Sequence, residues 1–318
     1  MAVTGLGLSG CGGKTGTRIL RAADAHPEGY PTVEAVRAMG KLLEERSDGR
    51  LRLKVFPGGQ LGNEKDTLEI TIFGGLDINR ISIAPLSAVV PEAIVPTLPF
   101  LFRDRNHMRA ALDGAPGRTI LKSFERHRLI GLCFYDAGAR SFYTKERLIR
   151  TPDDLKGMKI RVMNSDMFVS MVEALGGDAT PMAYAEVYQG LMQGVVDGAE
   201  NNWPSYHSSR HFEVAGKYSL TQHAMAPEVL LVSQRRWKTY TPEDQALIRQ
   251  AAVDSVPIMR EIWDARTAKA EAEIRAAGIE VITPDQAAFV EKVQPVWDKY
   301  LTNPALRKLA EDIQNVRS

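Results

Sequence analysis

The sequence predicts an α/β chain folded as two lobes with a ligand cleft between them, on three observations. Strand-like and helix-like segments alternate over residues 19–85 and alternate again after residue 130. A helical pattern then opens at Thr241 and runs to Gly278. At about 36 residues and 1.5 Å rise per residue it approaches roughly 50 Å, too long to lie inside one lobe.

ILRAADAH (19–26) reads as the first strand, and PTVEAVRAMGKLLEER (31–46) as a helix, with proline at its start and apolar residues at helical spacing. LRLKVFP (51–57) alternates as a strand does. GGQLGNEKDTLEITIFGG (58–75) is a glycine-bounded loop feeding a short helix, and LDINRISIAP (76–85) is the next strand. This order predicts a largely parallel sheet, whose ligands sit beyond the carboxyl ends of its strands.

The second unit opens with the strand-like LIGLCFYDAGA (129–139). A strand at 155–165 follows, then a helix at 166–177 with a glycine stop, a second helix in AEVYQGLMQG, and a strand with its exit loop in VVDGAENN. The long helix starts with a threonine cap, a proline and two acids, and Pro257 is a candidate kink. Residues 279–302 supply a short strand and a closing helix. Two α/β halves in one chain predict a ligand between them.

The 318 residues are 44% hydrophobic and 25% charged, the composition of a soluble globular chain. Forty basic against 39 acidic side chains leave a net charge of +1, which gives no electrostatic reason to expect nucleic acid or an anionic membrane as partner. None of the six histidines forms a close ligand spacing, and GxSxG, P-loop and dinucleotide fingerprints are absent from the folded region. These absences argue against an enzyme, a metal or a cofactor. Cys11 and Cys133 allow one disulfide but no zinc cluster.

Residues 1–16 are set apart as a leader. They look like the tail of an export signal, and Leu8-Ser9-Gly10-Cys11 is similar to a lipobox whose cysteine would carry lipid. A basic start is missing, and a leader without function accounts for the same residues.

Three arginines stand at strand ends or inside strands: Arg80 in INRIS, Arg140 before Ser-Phe-Tyr, and Arg161 in KIRV. A buried cation needs a partner. That partner is either a protein carboxylate or a ligand anion, which a guanidinium fork grips with two hydrogen bonds. The run GVVDGAENNWP (194–204) is too polar for a core strand and too aromatic for a plain loop. It is either a turn whose amides cap backbone groups or part of a site.

KIRV, ALGG, GGQLGNEKD and PMAYAEVYQGLMQGVVDGAENN occur here in the order found in the solute receptors of TRAP transporters, the tripartite ATP-independent periplasmic systems of bacteria. From about residue 19 the chain resembles that family. The resemblance implies a two-lobed periplasmic-binding-protein-like fold that closes on a small organic acid, with a long helix bracing both lobes. It assigns 17–137 plus 227–266 to lobe I and 138–226 plus 267–318 to lobe II. It implies that Arg161 grips the ligand carboxylate and that Arg140, Asn201 and Tyr184 join it, with Glu64 of the QLG turn facing the cleft. Met163 stands where proline is common, and Asn202 where proline often follows Glu-Asn. Trp203 and Pro204 would shape the wall. Glu200 is read as structural, because an acid beside a carboxylate ligand would repel it.

The remaining candidates, His26, Glu28 and Arg80, together with the Glu-Asn-Asn run, look like the subgroup that binds sugar acids, because an acid with many hydroxyls needs many acceptors. A hexuronate such as D-glucuronate or D-galacturonate is expected. The alternatives are a C4-dicarboxylate or a keto or hydroxy acid, or an enzyme on a similar fold. The family further implies a monomer in the periplasm serving integral membrane subunits of its transporter.

Overall fold

The computed structural model describes residues 16–317; the leader up to residue 15, with its Cys11, lies outside them. Among the described residues, eleven strands form two sheets. In chain order they are β1 (Arg18–Ala23), β2 (Leu51–Phe56), β3 (Ile78–Ser82), β4 (Leu129–Tyr135), β5 (Arg140–Thr144), β6 (Lys159–Val162), β7 (Asp178–Pro181), β8 (Gly198–Asn201), β9 (Lys217–Ala224), β10 (Glu228–Ser233) and β11 (Glu280–Ile282).

The first sheet has the order β2-β1-β3-β10-β4. β1 pairs in parallel with β2 and β3, while β10 is antiparallel to both of its neighbours. The second sheet has the order β11-β9-β5-β8-β6-β7 and is likewise mixed. A largely parallel first sheet was expected; β10, inserted between β3 and β4, changes that. It also moves 129–135. Those residues are an edge strand of the first sheet rather than the opening of a second unit. Every residue of β4 is buried, because the helices Ala115–Ser123 and Pro242–Ala276 pack on it, and its uninterrupted apolar run reads as a strand covered on both faces.

The helix Pro31–Arg46 forms as the spacing requires. Val33, Val36, Met39 and Leu43 are buried on one side, and proline stands at the start, where a missing N–H costs nothing. In the helix Pro242–Ala276 the Thr241 side chain accepts from Asp244 N at 3.2 Å, and Pro257 leaves the helix unbroken. Ile248, Ala251, Met259 and Trp263 pack into the core of the first sheet. Ala270 and Ile274 pack into the core beside the second. The long helix therefore ties the two sheets together. The chain also passes between them at 136–139 and at 225–227. The last helix, Pro304–Gln314, returns to lie against Ala115–Ser123 and the turn Pro91–Thr97, so the tail assigned with lobe II touches the first sheet's helices. Among the described residues no helix is long and apolar enough to cross a membrane.

Candidate ligand-binding site

Strand ends from both sheets meet at a cavity of about 900 Å³, its solvent-open mouth included. The carboxyl ends of β1, β3, β6 and β8 point toward it, as parallel strands should. So do the amino ends of the antiparallel β5 and β10, because register sets Ser141 opposite Asn201 and Glu228 opposite Ser82.

Arg161 lines this cavity and is 2% exposed. Its Nε and Nη2 donate to the Met182 carbonyl at 3.0 and 2.7 Å. Among the described residues no carboxylate pairs with it and no protein acceptor reaches Nη1. Burial pulls its pKa below the ordinary guanidinium value, opposed by the more distant Glu200. A guanidinium stays charged regardless. The site thus holds a desolvated cation whose free edge faces open space, a seat for a carboxylate.

Arg140 also lines the cavity but is committed within the protein. Its Nε and Nη2 grip the Glu200 carboxylate, Nη2 reaching Oε1 at 2.9 Å, and Nη1 donates to Asn201 Oδ1 at 2.9 Å. Glu200 is fully buried, as a structural acid would be. Burial raises its carboxyl, yet Arg140 and His223 hold it below 4.5. A folded value below the ordinary one means that the pair's stabilisation is complete above about pH 4.5 and is lost as pH falls through the folded value. The slope of apo melting temperature against pH below that point is therefore expected to be shallower in Glu200→Gln than in the native protein. Parallel slopes would show that Glu200 does not carry this acid sensitivity.

The Arg140 bond orients Asn201. Its Oδ1 accepts from Arg140 and from the Asn202 backbone at 2.9 Å, leaving its Nδ2 as a donor for the cavity. Asn202 does what a capping amide does: its Oδ1 accepts from Ser205 N at 2.8 Å, and its Nδ2 donates to the Ala137 carbonyl at 2.7 Å. It lines the cavity while fixing the crossing segment. Tyr184 and Met163, from the second sheet's loops, complete this side.

On the other side, His26 stacks on Tyr30 with centroids 3.8 Å apart. Glu64 starts the helix Glu64–Ile72, placed by an Asn63–Asp66 capping box. Gly62 precedes it at φ +112°, where a Cβ would come within 2.9 Å of Asp66; the QLG turn needs glycine there.

Three expectations are corrected. Arg80 does not line the cavity. It is buried beneath it, holding Asp24, Glu64 at 3.0 Å and Glu228 at 2.5 Å, so its partners are protein carboxylates. Glu28 points to solvent and pairs with Arg37 at 2.6 Å, drawn away from the cleft by the first helix. Trp203 and Pro204 line a different hollow behind the crossing segments, Trp203 stacking on Tyr218 at 4.2 Å. Sequence reasoning missed Ser82, Asn164, Ser205 and Glu228 in the lining. Glu228 was findable in one way: it is a charge at the head of EVLLVS, a strand that was not read.

A cleft between two α/β sheets, with a buried cation in its wall that no carboxylate among the described residues pairs, defines a binding protein for a small anion. Residues 22–303 match the bacterial extracellular solute-binding proteins of family 7, and the chain belongs to that family. The TRAP resemblance read from the motifs extends through the whole fold. A TRAP periplasmic solute-binding protein from Xanthobacter autotrophicus, solved with bound β-D-galacturonate, is 50% identical with a TM-score of 0.92, over 94% of this chain and 100% of that one. One from Roseobacter denitrificans with bound β-D-glucuronate is 42% identical at a TM-score of 0.92, over 94% of this chain and 100% of that one. A solute-binding protein of Chromohalobacter salexigens is 40% identical over 300 residues, 94% of this chain and 89% of the relative.

Proposed function

We propose that the protein is the periplasmic receptor of a TRAP transporter and binds a hexuronate, D-glucuronate or D-galacturonate, without turning it over. The observation that carries this is Arg161, a buried guanidinium in the cavity wall with no carboxylate partner among the described residues. The uronates in the related structures are the kind of ligand that such a wall would take. The sugar's carboxylate sits on Arg161 beside Asn201, with its ring against Tyr184 and Met163. The two lobes close on it by bending at 136–139 and 225–227, and the closed monomer delivers the acid to integral membrane subunits of the transporter.

Calorimetric titration against D-glucuronate, D-galacturonate and a C4-dicarboxylate tests the reading. A hexuronate is expected to bind tightest and be recovered unchanged. At 100 times its dissociation constant it should stabilise the fold by about 2.7 kcal/mol in a melt. Preference for the dicarboxylate, or no heat with either hexuronate, would overturn the ligand assignment. Conversion of the recovered sugar would overturn the assignment as a receptor.

A further inference from the structure

Glu228 and Glu64 share one nitrogen. Arg80 Nη1 donates to Glu228 Oε2 at 2.5 Å and to Glu64 Oε1 at 3.0 Å, and Glu64 Oε1 also accepts from Ser82 N at 2.9 Å. Each glutamate thus spends one oxygen on the protein. Among the described residues no hydrogen bond reaches the other oxygen, Glu228 Oε1 or Glu64 Oε2, and both residues line the cavity. Asp24 takes the far end of Arg80 and lies outside the lining. One guanidinium therefore serves three carboxylates, with the His26 ring 3.3 Å from Asp24, and the formal charges of Arg80, Asp24, Glu64 and Glu228 leave an anionic excess. Burial and the neighbouring Glu64 raise the Glu228 carboxyl, against the pull of Arg80, as crowding of like charges requires. Arg161, the cation without a counter-ion among the described residues, stands in the second sheet.

We propose that Glu228 and Glu64 form a fixed anionic pole on the first-sheet side of the cavity, which accepts the hydroxyls of a monocarboxylic sugar acid and rejects a second carboxylate. This rests on the hexuronate reading above and adds the direction in which the ligand lies. A hydroxyl donates to a carboxylate oxygen and satisfies it. A carboxylate has no proton to donate and would bring a like charge into a buried site. The pole's geometry does not depend on ligand, because Arg80 and the Ser82 N–H already hold it. Specificity of this kind comes from repulsion of the wrong ligand as well as attraction of the right one.

The test compares two probes, D-galacturonate and a six-carbon aldarate, which carries a carboxylate at both ends. Affinities are measured in the native protein and in Glu228→Gln, Glu64→Gln and Asp24→Asn. Both lining variants are expected to bind D-galacturonate at least tenfold more weakly and to bind the aldarate as well as or better than the native protein, so the preference narrows. Glu64 is partly exposed, and its variant keeps the test usable should Glu228→Gln fold poorly. Asp24→Asn, which alters the cluster's charge but not its facing oxygens, is expected to lower the melting temperature and keep the preference. Native affinity and preference in both lining variants would overturn the pole. An equal loss of preference in Asp24→Asn would overturn it as well, by showing that total charge, not the facing oxygens, sets selectivity. Absence of hexuronate binding in the native protein is a separate failure, of the function itself.

Discussion

Arg161→Ala is expected to abolish measurable hexuronate binding while the apo protein melts close to its original temperature. The two effects separate because the cation has no counter-ion among the described residues. Truncation forfeits the hydrogen bonds to the Met182 carbonyl but also removes the cost of burying a charge, which the lowered pKa of Arg161 registers. In the complex, each charge-assisted hydrogen bond to the ligand carboxylate contributes roughly 1.5–3 kcal/mol. Arg161→Lys keeps the charge and loses the planar fork, and a loss of at least about 1.4 kcal/mol, or tenfold in affinity, is expected. Titration with apo melting of both variants checks this. Near-native affinity in Arg161→Ala would remove the carboxylate clamp, and a collapsed apo fold would make Arg161 a structural cation.

Arg80→Met is expected to do the opposite and unfold the protein before any ligand is involved. The arginine is buried at 1% exposure and is the common partner of Asp24, Glu64 and Glu228. Removing one member of a buried pair costs about 3–5 kcal/mol, because the partner charge stays behind uncompensated. Here three charges stay behind, so a loss at or above the top of that range is expected in denaturant unfolding of the apo protein. A loss under about 1 kcal/mol, the size of an exposed pair, would mean that the carboxylates are neutral or hydrated in the fold.

The contrast between these two arginines shows where sequence reading reaches and where it stops. Both sit in short strands, and both were candidates for a ligand. What separates them is whether carboxylates distant in sequence arrive beside them: Glu228, 148 residues on, reaches Arg80, and none among the described residues reaches Arg161. Local pattern carries no such information. It did carry the alternating elements, the long helix and its cap, the strand-end positions of Arg161 and Asn201, and the turn position of Glu64, since those follow from apolar periodicity and turn chemistry within a few residues. It failed for β7, whose residues are exposed or half-buried at a sheet edge, and for β9 and β10, where the alternating segments had already supplied a complete-looking unit. Missing β10 misplaced β4 and hid Glu228 together. Asn202 and Glu200 behaved as their chemistry suggested, one capping a helix and the other neutralising Arg140.

The late strand β10 also bears on how the chain comes off the ribosome. It lies between β3 and β4 in hydrogen-bond order, so the inner edges of both strands stay unpaired until residue 233 has been made. Through most of synthesis the first sheet is two fragments with open edges, and unpaired edges are poor places for a nascent chain to settle. The helix that joins the two cores is made later still. A chain so ordered can close its first sheet only after residue 233 has been made, and can join its two cores only once the long helix that follows is in place.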